Sequence, residues 1–241
     1  MLRDKLAWIV LAVSIGMVSA GCGSVEDLTG GGDDDSSSKN EEATPVELTT
    51  TSGKTVALSG EWARGCTGGT STSSDDTYTI DGENVTVNHL EWRSAAACAG
   101  DHDFTSVIGF TAKKDKTVTG ISWVDGTGVA GAAPAGLEAV TDANGLTTVL
   151  KSATLTPNTQ AGADDLTTDM DCGFTDWAVG VTKDILECFI GGGSGEAKES
   201  WLLDDTTSTT AMLLYASADE PVLFDADGYP TEIYNVDPLM Q

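Results

Sequence analysis

The chain has 241 residues, and 38 aspartate or glutamate residues against 12 lysine or arginine residues give it a formal net charge of −26. A field this negative repels nucleic acid and anionic lipid headgroups, so no nucleic acid is expected as a partner. Hydrophobic residues make up 40% of the chain, which is enough for a packed core. Long apolar segments of helical period are absent after the N-terminus, and this favours an all-β domain.

The N-terminal segment has the pattern of an export signal. Residues 1–5 carry a net positive charge, and the apolar stretch Leu6–Val18 follows them. At about 13 residues this stretch is too short to span a bilayer and has the length of a signal-peptide core. Small residues and a cysteine come next, in the order Ser19-Ala20-Gly21-Cys22.

This last segment resembles the lipobox of bacterial lipoproteins, in which the chain is cleaved before the cysteine and the cysteine is lipidated. The resemblance implies that lipid is attached at Cys22 and that the mature protein is anchored in the bacterial cell envelope. Gly23 stands where some lipoproteins carry aspartate, which implies the outer membrane, on its periplasmic or surface face. A plain secretory signal with an incidental cysteine is the alternative.

The residues after Cys22 have the composition of a flexible tether. Runs of glycine, aspartate and serine over residues 30–38 offer no apolar surface to bury. The sequence therefore predicts three parts. They are a signal peptide over residues 1–21, a lipidated and disordered tether over residues 22–45, and a folded domain over residues 46–241 with an irregular C-terminal tail.

Four cysteines remain once Cys22 is assigned to lipid, an even number in a chain expected to be exported. Four cysteines allow three pairings, and sequence order favours Cys66–Cys98 and Cys172–Cys188 because each pair closes a local loop. The chain has no C-x-x-C motif, and both histidines lie far from the second pair. Neither a metal site nor a cofactor is expected.

Alternation of apolar and polar residues predicts a series of short antiparallel strands. The clearest hairpin joins Thr77–Asp81 to Val85–Trp92, with a bulge at His89 where the apolar parity changes. Turns are expected at Lys113–Asp115 and at Asp142–Gly145, where Asn-Gly favours positive φ. The other predicted strands cover residues 46–51, 55–64, 104–110, 116–124, 137–141, 146–156, one or two segments within 174–190, 199–203 and 209–217. Residues 157–171 are expected to be irregular, and no helix is expected in the mature chain.

Gly60 and Trp62 form a G-x-W pair on the first long strand, and Cys66 follows it. Together with the antiparallel meander, this pair resembles the lipocalin-like β-barrels of secreted bacterial lipoproteins. The resemblance implies a single closed meander barrel of about nine or ten strands, stapled by disulfides. It also implies that Trp62 packs across the closed end of the barrel, beside Gly60.

The candidate catalytic and metal-binding motifs are incomplete. In Asp101-His102-Asp103, a strand would point the histidine to the face opposite both carboxylates. Asp225–Gly228 lacks the first and last ligands of a calcium loop, and the glycine-rich segment 191–195 lacks the lysine of a phosphate loop. No catalytic constellation is found, and His89 is interpreted as structural.

The function expected from these features is that of a membrane-tethered extracytoplasmic binding module, for a small apolar ligand or a partner protein at the cell envelope. The alternative is a structural surface lipoprotein whose barrel is filled. A row of apolar residues would line the cavity in the first case and fill a dry core in the second; it comprises Tyr78, Ile80, Phe104, Ile108, Trp123, Leu213 and Tyr215. A hydrolase would need two carboxylates that converge in a pocket.

Overall fold

The computed structural model describes residues 44–69, 71–93, 95, 97–125, 129–169, 171–206, 211–214, 223–235 and 238–241. The signal peptide, Cys22 and nearly all of the tether lie outside the described residues, as does Tyr215. The described chain is mostly β-strand, as the alternating pattern predicted. Its strands are β1 (Val46–Thr49), β2 (Thr55–Leu58), β3 (Gly60–Gly68), β4 (Ser73–Asp81), β5 (Asn84–Trp92), β6 (Phe104–Thr119), β7 (Ser122–Val124), β8 (Asp142–Pro157), β9 (Lys183–Asp184), β10 (Glu196–Asp204), β11 (Ala211–Leu214), β12 (Glu232–Tyr234) and β13 (Leu239–Met240).

Nine of these strands form one antiparallel sheet, in the order β10-β11-β13-β3-β4-β5-β6-β8-β9. β10 also pairs with β8. The series of strand pairings that starts at β10 therefore leads through the sheet to β8 and from there back to β10. β13 connects the two halves, because Leu239 is opposite Met212 on β11 and Met240 is opposite Ala63 on β3. The C-terminal segment, expected to be irregular, therefore contributes a strand to the main sheet.

The hairpin of β4 and β5 is confirmed, but the bulge predicted at His89 is wrong. The register from Ser73↔Trp92 to Asp81↔Asn84 has no shift. Val85 and Val87 are buried, and His89 continues the same inward row. The apolar parity changes in the sequence for two reasons: the inward position 89 is polar and buried with a partner, and Trp92 on the other face is buried beside Gly100 and His102.

Two predicted turns are wrong, because β6 and β8 are each continuous over 16 residues. Lys113–Asp115 is a register shift between β6 and β8 and not a reversal of the chain. Asn144 and Gly145 lie within β8. A Cβ at Gly145 would lie 2.9 Å from Val118 Cγ2 and 3.0 Å from Tyr229 Cδ1, so this glycine permits close packing and does not form a turn.

The expectation of no helix is also wrong. Helix α1 (Gln160–Asp169) occupies the segment expected to be irregular, and helix α2 (Leu186–Ile190) lies where a strand was predicted. The Thr159 hydroxyl accepts a hydrogen bond from the backbone N–H of Gly162 at 3.0 Å, as an N-cap residue does. Ala163 and Leu166 face the main core. Burial of these two apolar residues outweighs the polar composition of the rest of the helix.

The hairpin β1–β2 and helix α1 cover opposite ends of the main sheet. β1 lies beside β10 and beside the C-terminal part of β6, which pairs with the start of β8. There Thr51 N–H donates to Leu203 O, and Lys114 Nζ donates to Thr49 Oγ1. Helix α1 lies against the beginning of β6, where a Cβ on Gly162 would be 2.7 Å from Asp103 O. We call these the hairpin end and the helix end.

Among the described residues, two further sheets have two strands each; one is the hairpin β1–β2, and the other lies beside the main sheet. It consists of β7 and β12, which pair in parallel and not in the antiparallel sense expected throughout. Trp123, Leu202 and Ile233 belong to its separate apolar cluster. The sequence pattern placed Trp123 with the residues of the main core, but it packs in this cluster.

Both predicted disulfides are confirmed. Cys66–Cys98 ties β3 to the loop before β6, and Cys172–Cys188 ties the short 3₁₀ turn after α1 to helix α2. Loops of 32 and 16 residues are closed. By the chain-entropy model each closure stabilises the fold by about 3–4 kcal/mol. Within the described residues, no helix is long and apolar enough to cross a membrane.

Candidate functional site

The predicted barrel residues lie at the start of β3. Gly60 has a φ of 87°, and Trp62 is buried opposite Tyr78, with its indole N–H donating to Ser59 O at 3.2 Å. Their role in closing a barrel stays a prediction. Cys22, the predicted site of lipid attachment, lies outside the described residues.

The acidic turn Asp225–Gly228 is neutralised by a lysine. Asp225 and Asp227 both accept hydrogen bonds from Lys116 Nζ, and Lys198 Nζ donates to the carbonyl of Asp227. His102 contacts Thr105 Oγ1 at 3.0 Å through Nε2. No group of three or more potential metal ligands is found among the described residues.

Three polar side chains form a row across adjacent strands inside the helix end. Asp76 on β4 is opposite His89 on β5, and His89 is opposite Ser106 on β6. Their exposed fractions are 8%, 4% and 1%. His89 Nδ1 donates to Asp76 Oδ1 at 2.6 Å, and Arg64 Nη1 donates to Asp76 Oδ2 at 3.1 Å. We call Asp76, His89 and Ser106 the polar row.

Arg64 reaches the polar row because of an irregularity in β3. The pairing of β3 with β4 shifts between Ala63 and Gly65, and Arg64 is the extra residue. Burial alone would raise the pKa of Asp76. The hydrogen bond and attraction of His89, together with the charge of Arg64, outweigh it, and the pKa of Asp76 lies below its usual value. Asp76 is therefore an ionised carboxylate in a buried site.

A second buried carboxyl group has the opposite electrostatics. Glu199 on β10 accepts hydrogen bonds from Thr148 Oγ1 at 2.8 Å and Trp201 Nε1 at 2.7 Å, both of them neutral donors. Burial raises the pKa of Glu199 to about 8 despite these bonds. Burial likewise raises the pKa of the neighbouring Tyr78. Glu199 is therefore mostly protonated at neutral pH.

A cleft of about 330 Å³ opens at the helix end, between helix α1 and the start of β6. Its apolar wall comprises Phe104, Ala161 and Gly162. The guanidinium carbon of Arg93 lies 4.3 Å from the centre of the Phe104 ring. This volume lies in the range of small-molecule sites.

The charges around the cleft are predominantly negative. Arg93 donates to Glu91 Oε1 at 3.0 Å and also pairs with Asp165. Burial opposes its charge, but Glu91 and Asp165 hold the pKa of Arg93 above its usual value. Asp103 is buried and accepts hydrogen bonds from the Arg93 backbone N–H at 2.9 Å and from Thr159 Oγ1 at 2.6 Å. Asp164 is exposed at the rim.

No sequence motif indicates the cleft or the polar row. Asp103 was considered only as a neighbour of His102, and Arg93, Asp164 and Asp165 had no motif around them. The polar row is dispersed over 30 residues, and only the register of β4, β5 and β6 brings it together. The one available signal in the sequence is that polar residues occupy positions 76, 89 and 106, where the alternation along each strand places side chains that face inward.

No protein-family model matches this chain, and no curated protein sequence matches it.

Proposed function

We propose that this protein is a lipid-tethered, extracytoplasmic binding module of a bacterial cell envelope, built on a lipocalin-like barrel. The export and lipobox pattern of residues 1–22 supports the location. Two disulfides are typical of an oxidising compartment and support it independently. The pairings that return to β10 support a closed sheet.

The observation that carries the binding function is the cleft at the helix end. It combines a short apolar wall with several charged side chains, so a ligand there would meet both apolar and ionic groups. The interior of the main sheet, in contrast, is occupied by large buried side chains such as Phe110, Leu155 and Trp201. The ligand is therefore proposed to bind at the helix end and not inside the sheet.

The charges of the cleft favour a ligand with an apolar body and a positive group. Asp103, Asp164 and Asp165 line the cleft together with Arg93, whose guanidinium is paired with Asp165 and with Glu91. The net charge of −26 attracts cations to the whole protein. An alkyl chain would contact the apolar wall of the cleft, and an ammonium group at its end would be attracted to the carboxylates of α1.

Calorimetric titration of the mature protein with three probes of equal chain length tests this proposal. n-Hexylamine is expected to bind saturably and at least about tenfold more tightly than n-hexanol, and hexanoate is expected not to bind. The variant Asp164→Asn should weaken hexylamine binding. Glu61→Gln removes an exposed carboxylate from β3 and should leave it unchanged. Absence of saturable hexylamine binding would reject a small-molecule site in the cleft.

The filled interior supports a second candidate, a structural envelope lipoprotein without a ligand. Its buried apolar residues leave little room for a guest in the main core. A hydrophobic dye with no saturable site, together with failure of all three probes, would favour this candidate.

The anchor is tested separately, in the bacterial host. The mass of the mature protein should begin at Cys22 and include attached acyl chains. Cys22→Ala should move the protein from the membrane fraction to the soluble fraction. A mature N-terminus elsewhere with no lipid would reject the tether and leave the cleft proposal untouched.

A further inference from the structure

The polar row contains the side chains of a nucleophilic serine site in the order in which such a site uses them. Directly opposed residues on antiparallel strands have Cβ atoms about 4.5–5.5 Å apart. His89 therefore lies between Asp76 on one side and Ser106 on the other. A carboxylate, an imidazole and a hydroxyl in this order define such sites on unrelated folds.

The orientation of the imidazole is set by Asp76. Nδ1 of His89 donates to Asp76 Oδ1, so Nε2 is the ring nitrogen left for Ser106 on the neighbouring strand, although it makes no hydrogen bond to Ser106 Oγ in this structure. Arg64 holds the other oxygen of Asp76. The carboxylate is therefore fixed on both oxygens, and the histidine ring cannot rotate without losing a buried charged hydrogen bond.

The hydroxyl of Ser106 is buried and has no hydrogen-bond partner among the described residues. An unpaired buried hydroxyl costs about 1–3 kcal/mol. Alanine at this inward position would avoid that cost, as it does at Ala112 and Ala153 nearby. The serine is thus unexplained by packing, and it lies beside the one histidine in the main core.

We infer that Ser106 is a nucleophile that His89 activates and Asp76 orients, and that the site hydrolyses small carboxylic esters. Ser106 Oγ attacks the carbonyl carbon and forms an acyl-serine, while Nε2 of His89 accepts the hydroxyl proton and passes it to the departing alcohol. Water then attacks the acyl-serine, His89 accepts its proton and returns it to Ser106 Oγ, and the carboxylic acid is released.

Phe104 controls access to the serine. It is the inward residue next to Ser106 on β6, and its ring also forms a wall of the cleft. The ring is 1% exposed and lies under the Arg93 guanidinium, so a substrate from the cleft reaches Ser106 only when both side chains move. The inference does not depend on the amine ligand proposed above, because the two uses of the cleft have separate tests.

An alkyl fluorophosphonate tests the inference on the wild-type protein. Its phosphorus bonds to an activated serine with loss of fluoride, and peptide mass mapping locates the adduct. We expect a single adduct at Ser106, absent from Ser106→Ala, and hydrolysis of p-nitrophenyl acetate that the same substitution abolishes. Phe104→Leu should raise the labelling rate by widening the entrance. Ser152→Ala removes an exposed serine from β8 and should change nothing.

The general base is tested with His89→Gln, which should slow labelling about 100-fold. A purely structural polar row gives no adduct at Ser106 in the wild type or in Phe104→Leu, and that result overturns the inference without reference to the folding of any His89 variant. Adducts distributed over exposed serines, or labelling of Ser106 at an unchanged rate in folded His89→Gln, also overturn it.

Discussion

The two ends of the main sheet differ in how their polar groups are partnered. At the hairpin end, Leu48 and Leu58 are buried, and Asn144 makes three hydrogen bonds, two with the backbone of Thr49 and one with Trp201 O. At the helix end lie a charged pair and the hydroxyl of Ser106, which has no hydrogen-bond partner among the described residues. At the hairpin end the buried amide of Asn144 is fully hydrogen-bonded, as is usual in a stable core. At the helix end, buried polar side chains occupy positions that apolar residues could fill.

The two buried carboxyl groups show the same contrast. Asp76 at the helix end is held as a carboxylate by Arg64 and His89. Glu199 lies towards the hairpin end, opposite Leu146, and has only neutral donors. The buried carboxyl group is thus ionised at the helix end and protonated at the hairpin end. The contributions of these two groups to stability should therefore change with pH in opposite directions.

The largest expected effect is at Glu199. Its pKa is about 8 in the folded state against an ordinary 4.5, so the folded protein binds more protons between these values. The contribution of Glu199 to the free energy of unfolding is therefore fully present below pH 4.5. This free energy falls by about 5 kcal/mol as the pH rises to 8. Glu199→Gln keeps the hydrogen-bond acceptor and should remove this fall. Urea denaturation at a series of pH values measures it, and parallel curves for both proteins would contradict it.

Asp76→Asn should destabilise the protein by about 4 kcal/mol at neutral pH, because it leaves the buried Arg64 guanidinium without its countercharge. In the wild type, the lowered pKa of Asp76 gives stability that is present above the ordinary pKa of aspartate and lost as the pH falls through the folded pKa. The variant should lack this acid-side loss. Asp81→Asn, at an exposed carboxylate on the same strand, is the control and should be near neutral.

Leu48→Ala should cost about 3 kcal/mol, because it leaves a cavity at the hairpin end. Hexylamine binding and labelling of Ser106 should be unchanged in the folded variant, since both belong to the helix end. Thermal unfolding and calorimetry measure the two effects. If the folded variant no longer binds hexylamine, the two ends of the sheet are coupled.

The smallest expected effect is that of Gly162→Ala, about 2 kcal/mol. The new Cβ would lie 2.7 Å from the backbone oxygen of Asp103, so α1 must move away from β6. The same movement alters the cleft, and hexylamine affinity should change while the hairpin end stays intact. Asp169→Ala, at an exposed position of the same helix outside the cleft lining, is the control for helix propensity and should not alter the cleft.

The local sequence pattern predicted the hairpin of β4 and β5, because the alternation of apolar and polar residues and a two-residue turn are both visible within a short stretch of sequence. It predicted Cys66–Cys98 and Cys172–Cys188 because each pair is close in sequence. It failed at Asn144-Gly145, where the same dipeptide that forms turns is used to pack against Val118. It failed again at α1, whose helical state depends on Ala163 and Leu166 meeting a core that the local sequence does not contain.

The amino-acid sequence by itself determined the β class, the two cross-links and the apolar inward rows, because each follows from short-range spacing. Only the tertiary structure decided which polar residues meet. Asp76, His89 and Ser106 are separated along the chain and adjacent only through the register of three strands, and Arg64 joins them through a local shift in β3. The cleft at the helix end likewise exists because α1 packs over the start of β6, a contact between segments about 60 residues apart in a fold dominated by non-local pairing.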